Sequence, residues 1–180
     1  KRLKIGYFGS ISDSKGIGTL INLSKIDQKN DYYIFGGDRE KLQKIKIKNF
    51  NKNLFFNAHV EYKSLPQIMM TMDILTIPYK SIVNSSGDVD DISQYTSPLK
   101  LFDYMAVGKI IISSNLKVLR EVIGHRNEYL KNNFENIFEW KKKIEIAKNN
   151  KIKSLIMRKN NLILSKKFNH VERVKKYIWF

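Results

Sequence analysis

With 180 residues, 42% of them apolar and none cysteine, the chain is long enough to bury one sizeable core, and it cannot build a disulfide framework, a thiolate metal site or a cysteine nucleophile. Its net charge is +16, of which the segment from Lys131 to Phe180 supplies +10 through 14 basic and 4 acidic side chains. No apolar run approaches the roughly 18 residues of a membrane span, and no basic, apolar, small-residue series marks a secretion signal.

Apolar runs alternate with helical patterns roughly every 20 to 25 residues, the spacing of repeated βα units. Five strands are expected, over Lys4 to Gly9, Tyr32 to Gly37, Leu54 to Val60, Asp73 to Pro78 and Ile110 to Ser114. Each is short and mostly lacks alternation, as strands covered on both faces do. Helices are expected near Gly18 to Ile26, Arg39 to Lys48, Leu65 to Met72, Leu99 to Val107 and Val118 to Ile123, and a short apolar stretch around Tyr129 reads as a sixth, edge strand. From Phe134 onward the pattern is helical, with Ile152, Leu155, Ile156, Leu162 and Ile163 in one apolar stripe expected to pack on the sheet. The fold class is therefore α/β: a Rossmann-like, doubly wound parallel sheet of about six strands with C-terminal helices, one domain over residues 1–180. The one long loop, Lys80 to Thr96, contains Asn84-Ser85-Ser86-Gly87 and several aspartates. Loops of that length are usually functional or mobile.

Ligands of parallel α/β sheets sit at the carboxyl ends of the strands, and the residues there point to an anion. Ser97-Pro98-Leu99-Lys100 is a helix start whose free N–H groups favour negative charge. An ordinary capped helix would read the same, except that Lys100 stands in the first turn, where a cation opposes the helix dipole and a capping box prefers Glu or Gln. Lys100 either meets that anion or pairs with Asp103 at the i, i+3 spacing. Lys15 follows the first strand in a Ser-, Asp- and Gly-rich loop within reach of the same place. Asp88-Val89-Asp90-Asp91 has the spacing of a metal-binding motif but lies in a polar loop, and no His or carboxylate cluster completes a shell, so no metal is assigned. Gly16-Ile17-Gly18 lacks the third glycine of a dinucleotide fingerprint, and no Gly-x-Ser-x-Gly turn supports a nucleophilic triad.

The run Ser97-Pro-Leu-Lys-Leu-Phe-Asp-Tyr-Met-Ala-Val-Gly108 resembles the donor-site helix of the retaining GT-B glycosyltransferases of family 4, to which many bacterial surface-polysaccharide enzymes belong. Ile5 to Ile17 is similar to that family's first strand, Gly-Arg-Leu turn and Lys-Gly, with Ser10 in place of the arginine. Leu54 to Tyr79 is similar to its base-binding turn and following unit, and the tail to its last helices. The resemblance implies a nucleotide-sugar site with Lys15 and Asp103 as catalytic-site residues. Gly9, Ser10, Lys15, Ser97, Pro98, Leu99 and Lys100 would hold the diphosphate, Asp103 the ribose, and Gly36, Gly37, His59 and Val60 the base. Tyr95 and Thr96 would lie at the sugar. Tyr95 falls where the family signature has its first glutamate, and Asp103 shortens the second.

The resemblance further implies a donor domain whose partners are a nucleotide-sugar and, on a missing N-terminal domain, a glycan or lipid-linked acceptor. The apolar stripe would then face the other domain. Lys1 and a core strand starting within about five residues read as a cut piece of a longer polypeptide. No cofactor is expected beyond the donor substrate, and cytoplasmic residence fits, with the basic tail as a solvated surface or a contact for anionic membrane at the inner face of the plasma membrane. Nucleic acid is not expected, because the tail lacks a recognition helix or stacking platform. A non-catalytic module that binds anionic lipid or nucleic acid through the basic face, and a sugar-nucleotide epimerase, remain alternatives.

Overall fold

Five parallel strands in the order β3-β2-β1-β4-β5 organise the computed structural model, which describes residues 1–48, 51–80, 99–124 and 136–168, with only the backbone of Lys41 and Lys48. The strands are β1 (Lys4–Phe8), β2 (Asp31–Phe35), β3 (Leu54–Asn57), β4 (Ile74–Ile77) and β5 (Ile110–Ser113). The helices are α1 (Ile17–Ile26), α2 (Arg39–Lys48), α3 (Leu65–Met70), α4 (Leu99–Ala106), α5 (Lys117–Ile123), α6 (Ile137–Asn149) and α7 (Lys151–Lys167), with a 3₁₀ turn at Tyr62–Ser64 before α3. The chain winds outward from β1 to β3, returns to β4 beside β1 and winds outward again. Right-handed crossovers in opposite directions put helices on opposite faces of the sheet.

Position in this order explains the strand sequences. β4 and β5 are buried at every residue, as strands covered on both faces must be. β2 does alternate: Tyr32 and Ile34 are buried, while Tyr33 and Phe35 on its other face stack in a row with Phe55 of β3 at centroid distances of 6.5 and 4.8 Å. The sixth strand proposed around Tyr129 lies outside the described residues.

At the amino ends of the strands, buried Asp27 accepts hydrogen bonds from Asn30 Nδ2 and Tyr32 OH, both at 2.8 Å. Asn53 Nδ2 donates to the Asp27 and Asn30 carbonyls. This network fixes where β2 begins and leaves the carboxyl ends of the strands for a ligand.

The apolar stripe corrects an expectation. Ile152, Leu155, Ile156, Leu162 and Ile163 do not pack on the sheet; they are 44% to 76% exposed. The inner face of α7 is Ser154, Met157 and Asn161. Ser154 Oγ donates to the Ala147 carbonyl and Asn161 Nδ2 to that of Lys109, each at 2.8 Å, and Arg158 Nε to that of Gly108 at 3.0 Å. Carbonyls after α4 and at the end of α6 are left over by their helices, and burying them against Ile or Leu would cost their hydrogen bonds. Polar side chains therefore take the inner face and the stripe turns outward.

Candidate functional site

Four short segments converge at the carboxyl ends of β1, β2, β3 and β4. Gly36 N donates to the Asn57 carbonyl and Gly9 N to the Phe35 carbonyl. The ladder stops there, so β3 ends at Asn57 and not at Val60. His59 and Val60 lie just beyond the strand, with His59 N donating to the Gly37 carbonyl at 3.3 Å. Gly36 and Gly37 likewise follow β2 instead of ending it. The space beside Gly36 is occupied by protein: a Cβ there would lie 1.9 Å from the Gly9 carbonyl oxygen. The glycine pair therefore serves the meeting of two strand ends, and Gly37 lies over Ile11.

On the other side of β1, the segment after β4 docks onto the β1–α1 loop. Lys80 N donates to the Ser14 carbonyl, the Lys80 ammonium pairs with Asp13, and Gly16, with φ +74, lets the loop close on Pro78, whose carbonyl oxygen would be 1.6 Å from a Cβ. This docking sets Lys15 over Tyr79, its Nζ 4.7 Å from the ring centroid. Helix α4 is registered on β1 by the Phe8 N–H, which donates to Tyr104 OH at 2.9 Å. One turn earlier, Lys100 reaches back so that its Nζ lies 3.9 Å from the Tyr7 centroid and 5.0 Å from that of Tyr79. It touches Gly9 so closely that a Cβ there would be 2.4 Å from Nζ.

Lys100 does not pair with Asp103. Among the described residues, no carboxylate lies within ion-pair distance of either Lys15 or Lys100. Burial holds the Lys100 ammonium well below the usual lysine range, with the nearby Lys15 charge adding to the effect and Asp103 opposing it. Lys100 as a residue is half-buried, with its Nζ against Gly9 and between the Tyr7 and Tyr79 rings. Burial also lowers Lys15, pushes the Tyr79 phenol up to about 12, and raises the Asp103 carboxyl, against which Lys100 acts.

A cavity of about 240 Å³ is lined by Phe8, Gly9, Phe35, Gly36, His59 and Val60 on the strand side and by Lys100 and Asp103 on α4, with Tyr62, Leu65 and Met69 as its floor. Phe8 and Phe35 stack there at 4.5 Å and 2°. Of the residues assigned from sequence, Gly9, Gly36, His59, Val60, Lys100 and Asp103 line this cavity, and Lys15 joins it through the Tyr79 ring. Ser10 is exposed and offers its carbonyl to Tyr7 OH, Gly37 is turned to Ile11, and Leu99 is 61% exposed. Ser97, Pro98, Tyr95, Thr96 and the Asp88 to Asp91 cluster lie outside the described residues. No group of three or more metal-ligating side chains occurs among the described residues.

The sequence reading missed Phe8, Phe35, Tyr7 and Tyr79. The signal available was positional: Phe8-Gly9 and Phe35-Gly36 repeat an aromatic-glycine pair at the ends of adjacent strands, and Tyr7 near the end of β1 and Tyr79 just beyond β4 belong to the two strands that flank the switch in winding direction. A ring beside a glycine leaves one open face for a planar ligand, and rings beneath two ammonium groups hold cations without neutralising them.

The family model described as "Glycosyl transferases group 1" matches residues 2–147, and no curated protein matches. Among solved structures, HepE of Anabaena in complex with UDP-glucose aligns over 99% of this chain and 49% of its own at 15% identity, TM-score 0.75. Sucrose-phosphate synthase of Thermosynechococcus elongatus aligns over 99% and 44% at 14% identity, TM-score 0.77. The C-terminal domain of LpcC, a group 1 family protein of Francisella tularensis, aligns over 92% and 85% at 16% identity, TM-score 0.68. The chain thus spans about half the length of the first two.

Proposed function

The chain belongs to the glycosyl transferases group 1 family, and from that membership we propose that it is the donor-binding domain of a retaining, metal-independent glycosyltransferase. Its fold matches the Rossmann-like domains of GT-B glycosyltransferases. The full enzyme would transfer a hexosyl or N-acetylhexosaminyl group from a nucleoside diphosphate to a growing, lipid-linked bacterial glycan of the O-antigen or capsule type, with the acceptor held by the rest of the polypeptide. The observation that carries this reading is the pair of lysines on one tyrosine ring, beside a cavity edged by Asp103 and without a carboxylate of their own among the described residues.

In this reading Lys15, Lys100 and the first-turn amides of α4 take the diphosphate. As the anomeric bond to the leaving oxygen breaks, charge grows on that diphosphate, and cations fixed in a partly desolvated site stabilise it without reorganising. Asp103 accepts from the ribose hydroxyls. The base enters between His59, Val60 and the Phe8–Phe35 stack, and HepE, which binds UDP-glucose, makes UDP the first nucleotide to try. Amides of residues 99–103 should shift in an NMR titration of the chain with UDP, GDP or ADP; no shift with any of them at millimolar concentration refutes the reading. Lys15→Ala should weaken the diphosphate about tenfold, in line with one charge-assisted hydrogen bond, and leave the nucleoside unchanged. Equal losses for both ligands would contradict the role given to Lys15.

The outward stripe bears on where the enzyme works. Helix α7 carries five lysines, one arginine and no acid, and its exposed side is Ile152, Leu155, Ile156 and Ile163. Apolar side chains among cations suit an anionic phospholipid surface, where each cation near the headgroups contributes on the order of 1 kcal/mol. We therefore propose that the enzyme is cytoplasmic and works peripherally at the inner face of the plasma membrane. The chain should float with phosphatidylglycerol vesicles and not with phosphatidylcholine, less so in high salt, and the double change Ile152→Asn, Ile156→Asn should release it. Equal flotation of that variant would show that this face is not the contact.

A further inference from the structure

The donor reading leaves one arrangement unexplained: why two lysines that serve one anion rest on aromatic rings instead of on carboxylates. Tyr79 is 8% exposed and lies two residues beyond the end of β4. Among the described residues it is the one side chain whose ring lies near both Nζ atoms, while Tyr7 lies against Lys100 as well. A ring face attracts a cation without supplying a charge that must later be displaced. A carboxylate partner would compete with an incoming diphosphate; a ring does not.

Among the described residues, the groups that face the pair come from several elements. They are Tyr7 on β1, Tyr79 after β4, Asp103 and Tyr104 on α4, and His59 across the cavity, with the Asp13–Lys80 pair behind the loop. All three tyrosines are raised by burial and stay neutral. Asp103, raised by its own burial and lowered by the Lys100 charge, is the acid on α4 nearest the pair among the described residues, and it lies beyond ion-pair distance of both lysines. Two ammonium groups within 5.0 Å of one ring centroid, with no carboxylate at ion-pair distance among the described residues, repel each other and lose hydration together.

Resting on the donor reading, we propose that Tyr79, with Tyr7, is the positioning residue that holds Lys15 and Lys100 side by side, and that an arriving diphosphate draws a proton from solvent onto Lys100 Nζ. The balance is simple: one amine takes one proton from the buffer, and the diphosphate oxygens accept the new N–H bonds. Donor affinity therefore falls as pH rises past the free-site value of Lys100, because above it each binding event must also bring in a proton. The burial-lowered Lys100 and Lys15 agree with that sign. The same linkage makes Lys100 a sensor of whether the site is filled.

The test uses the intact chain. The ¹³Cε signals of Lys100 and Lys15 are followed against pH without ligand, and UDP is then titrated calorimetrically at the midpoint found for free Lys100, in two buffers of different ionisation enthalpy. Lys100 should titrate below the exposed lysines, and the two heats should differ by the uptake of a fraction of a proton. Lys100→Arg, whose guanidinium never deprotonates, should bind UDP with the same heat in both buffers. Tyr79→Leu should weaken UDP about five- to tenfold, spare uridine and reduce the proton count, and Tyr79→Phe, which keeps the ring, should restore all three. A Lys100 that titrates with the exposed lysines, or UDP binding with no difference between buffers, overturns the inference and leaves the donor reading intact. Absence of any nucleotide binding overturns the donor reading and this linkage with it, whatever the lysine titration shows.

Discussion

Gly36→Ala should destabilise the fold by about 3–5 kcal/mol, the sum of a strained backbone and a clash that cannot relax, and should abolish nucleotide binding even where the chain still folds. Gly36 has φ +139, a conformation that side chains rarely adopt, and its Cβ would stand 1.9 Å from one backbone atom of Gly9 and 2.8 Å from another. Neither strand end can move aside. Gly9 N is bonded to the Phe35 carbonyl at 2.9 Å and Gly36 N to that of Asn57 at 3.0 Å, and the register Phe8↔Phe35 holds the stacked rings between them. Moving Gly9 would also remove the surface against which Lys100 Nζ rests. Against a typical total stability of about 5–15 kcal/mol, the denaturation midpoint should fall by about a fifth or more. Gly18→Ala is the control: it lies in α1 with no atom within 4 Å of a new Cβ, and should leave the midpoint unchanged or raise it slightly. A Gly36→Ala midpoint equal to that of the natural chain would show that the two strand ends do not meet as described.

The meeting of Gly9 and Gly36 also marks how far the sequence could be read. The strands were legible because β1, β4 and β5 are short and mostly apolar without alternation, and the parallel order follows once helices separate them. The limits of β2 and β3 were not, since a glycine pair looks the same whether it belongs to a strand or turns out of one; pairing across the sheet decided it. The stripe on α7 was legible as a period and misleading as a direction. Periodicity finds the apolar side of a helix, but here the core side is the one that must satisfy the Gly108, Lys109 and Ala147 carbonyls, and only Ser154, Arg158 and Asn161 can do that.

The site was legible where one segment carries it and opaque where several do. The α4 segment shows Lys100 and Asp103 one turn apart, which suggests a clamp or an ion pair with equal force. The choice rests on Gly9, Tyr7 and Tyr79, which draw the ammonium away from Asp103 toward β1. Those three residues come from two strand ends about 70 positions apart along the chain, so no local motif could have named them.

That separation leaves Asp103 uncommitted, and Asp103→Asn should weaken UDP by about 10- to 100-fold, the worth of one charge-assisted hydrogen bond. An amide offers one acceptor and, beside it, a donor that faces a ribose hydroxyl badly, so the second bond is lost and the first loses its charge. The control ligand is the 2′,3′-dideoxy nucleotide: it should bind the natural chain as weakly as UDP binds the variant, and Asp103→Asn should cost it nothing more. Asp103→Glu, which adds one carbon of reach, should bind UDP at least as well as Asp103 does. The pH dependence carries a definite sign. Burial raises the free Asp103 carboxyl, and the ribose bonds need it ionised, so affinity is full above that raised value and lost as pH falls through it. A nucleoside diphosphate ester, whose phosphates do not titrate in this range, isolates the effect, and Asp103→Asn should lack this acid limb altogether. If the dideoxy ligand and UDP lose equally, or the acid limb survives in Asp103→Asn, the carboxylate is not what holds the ribose.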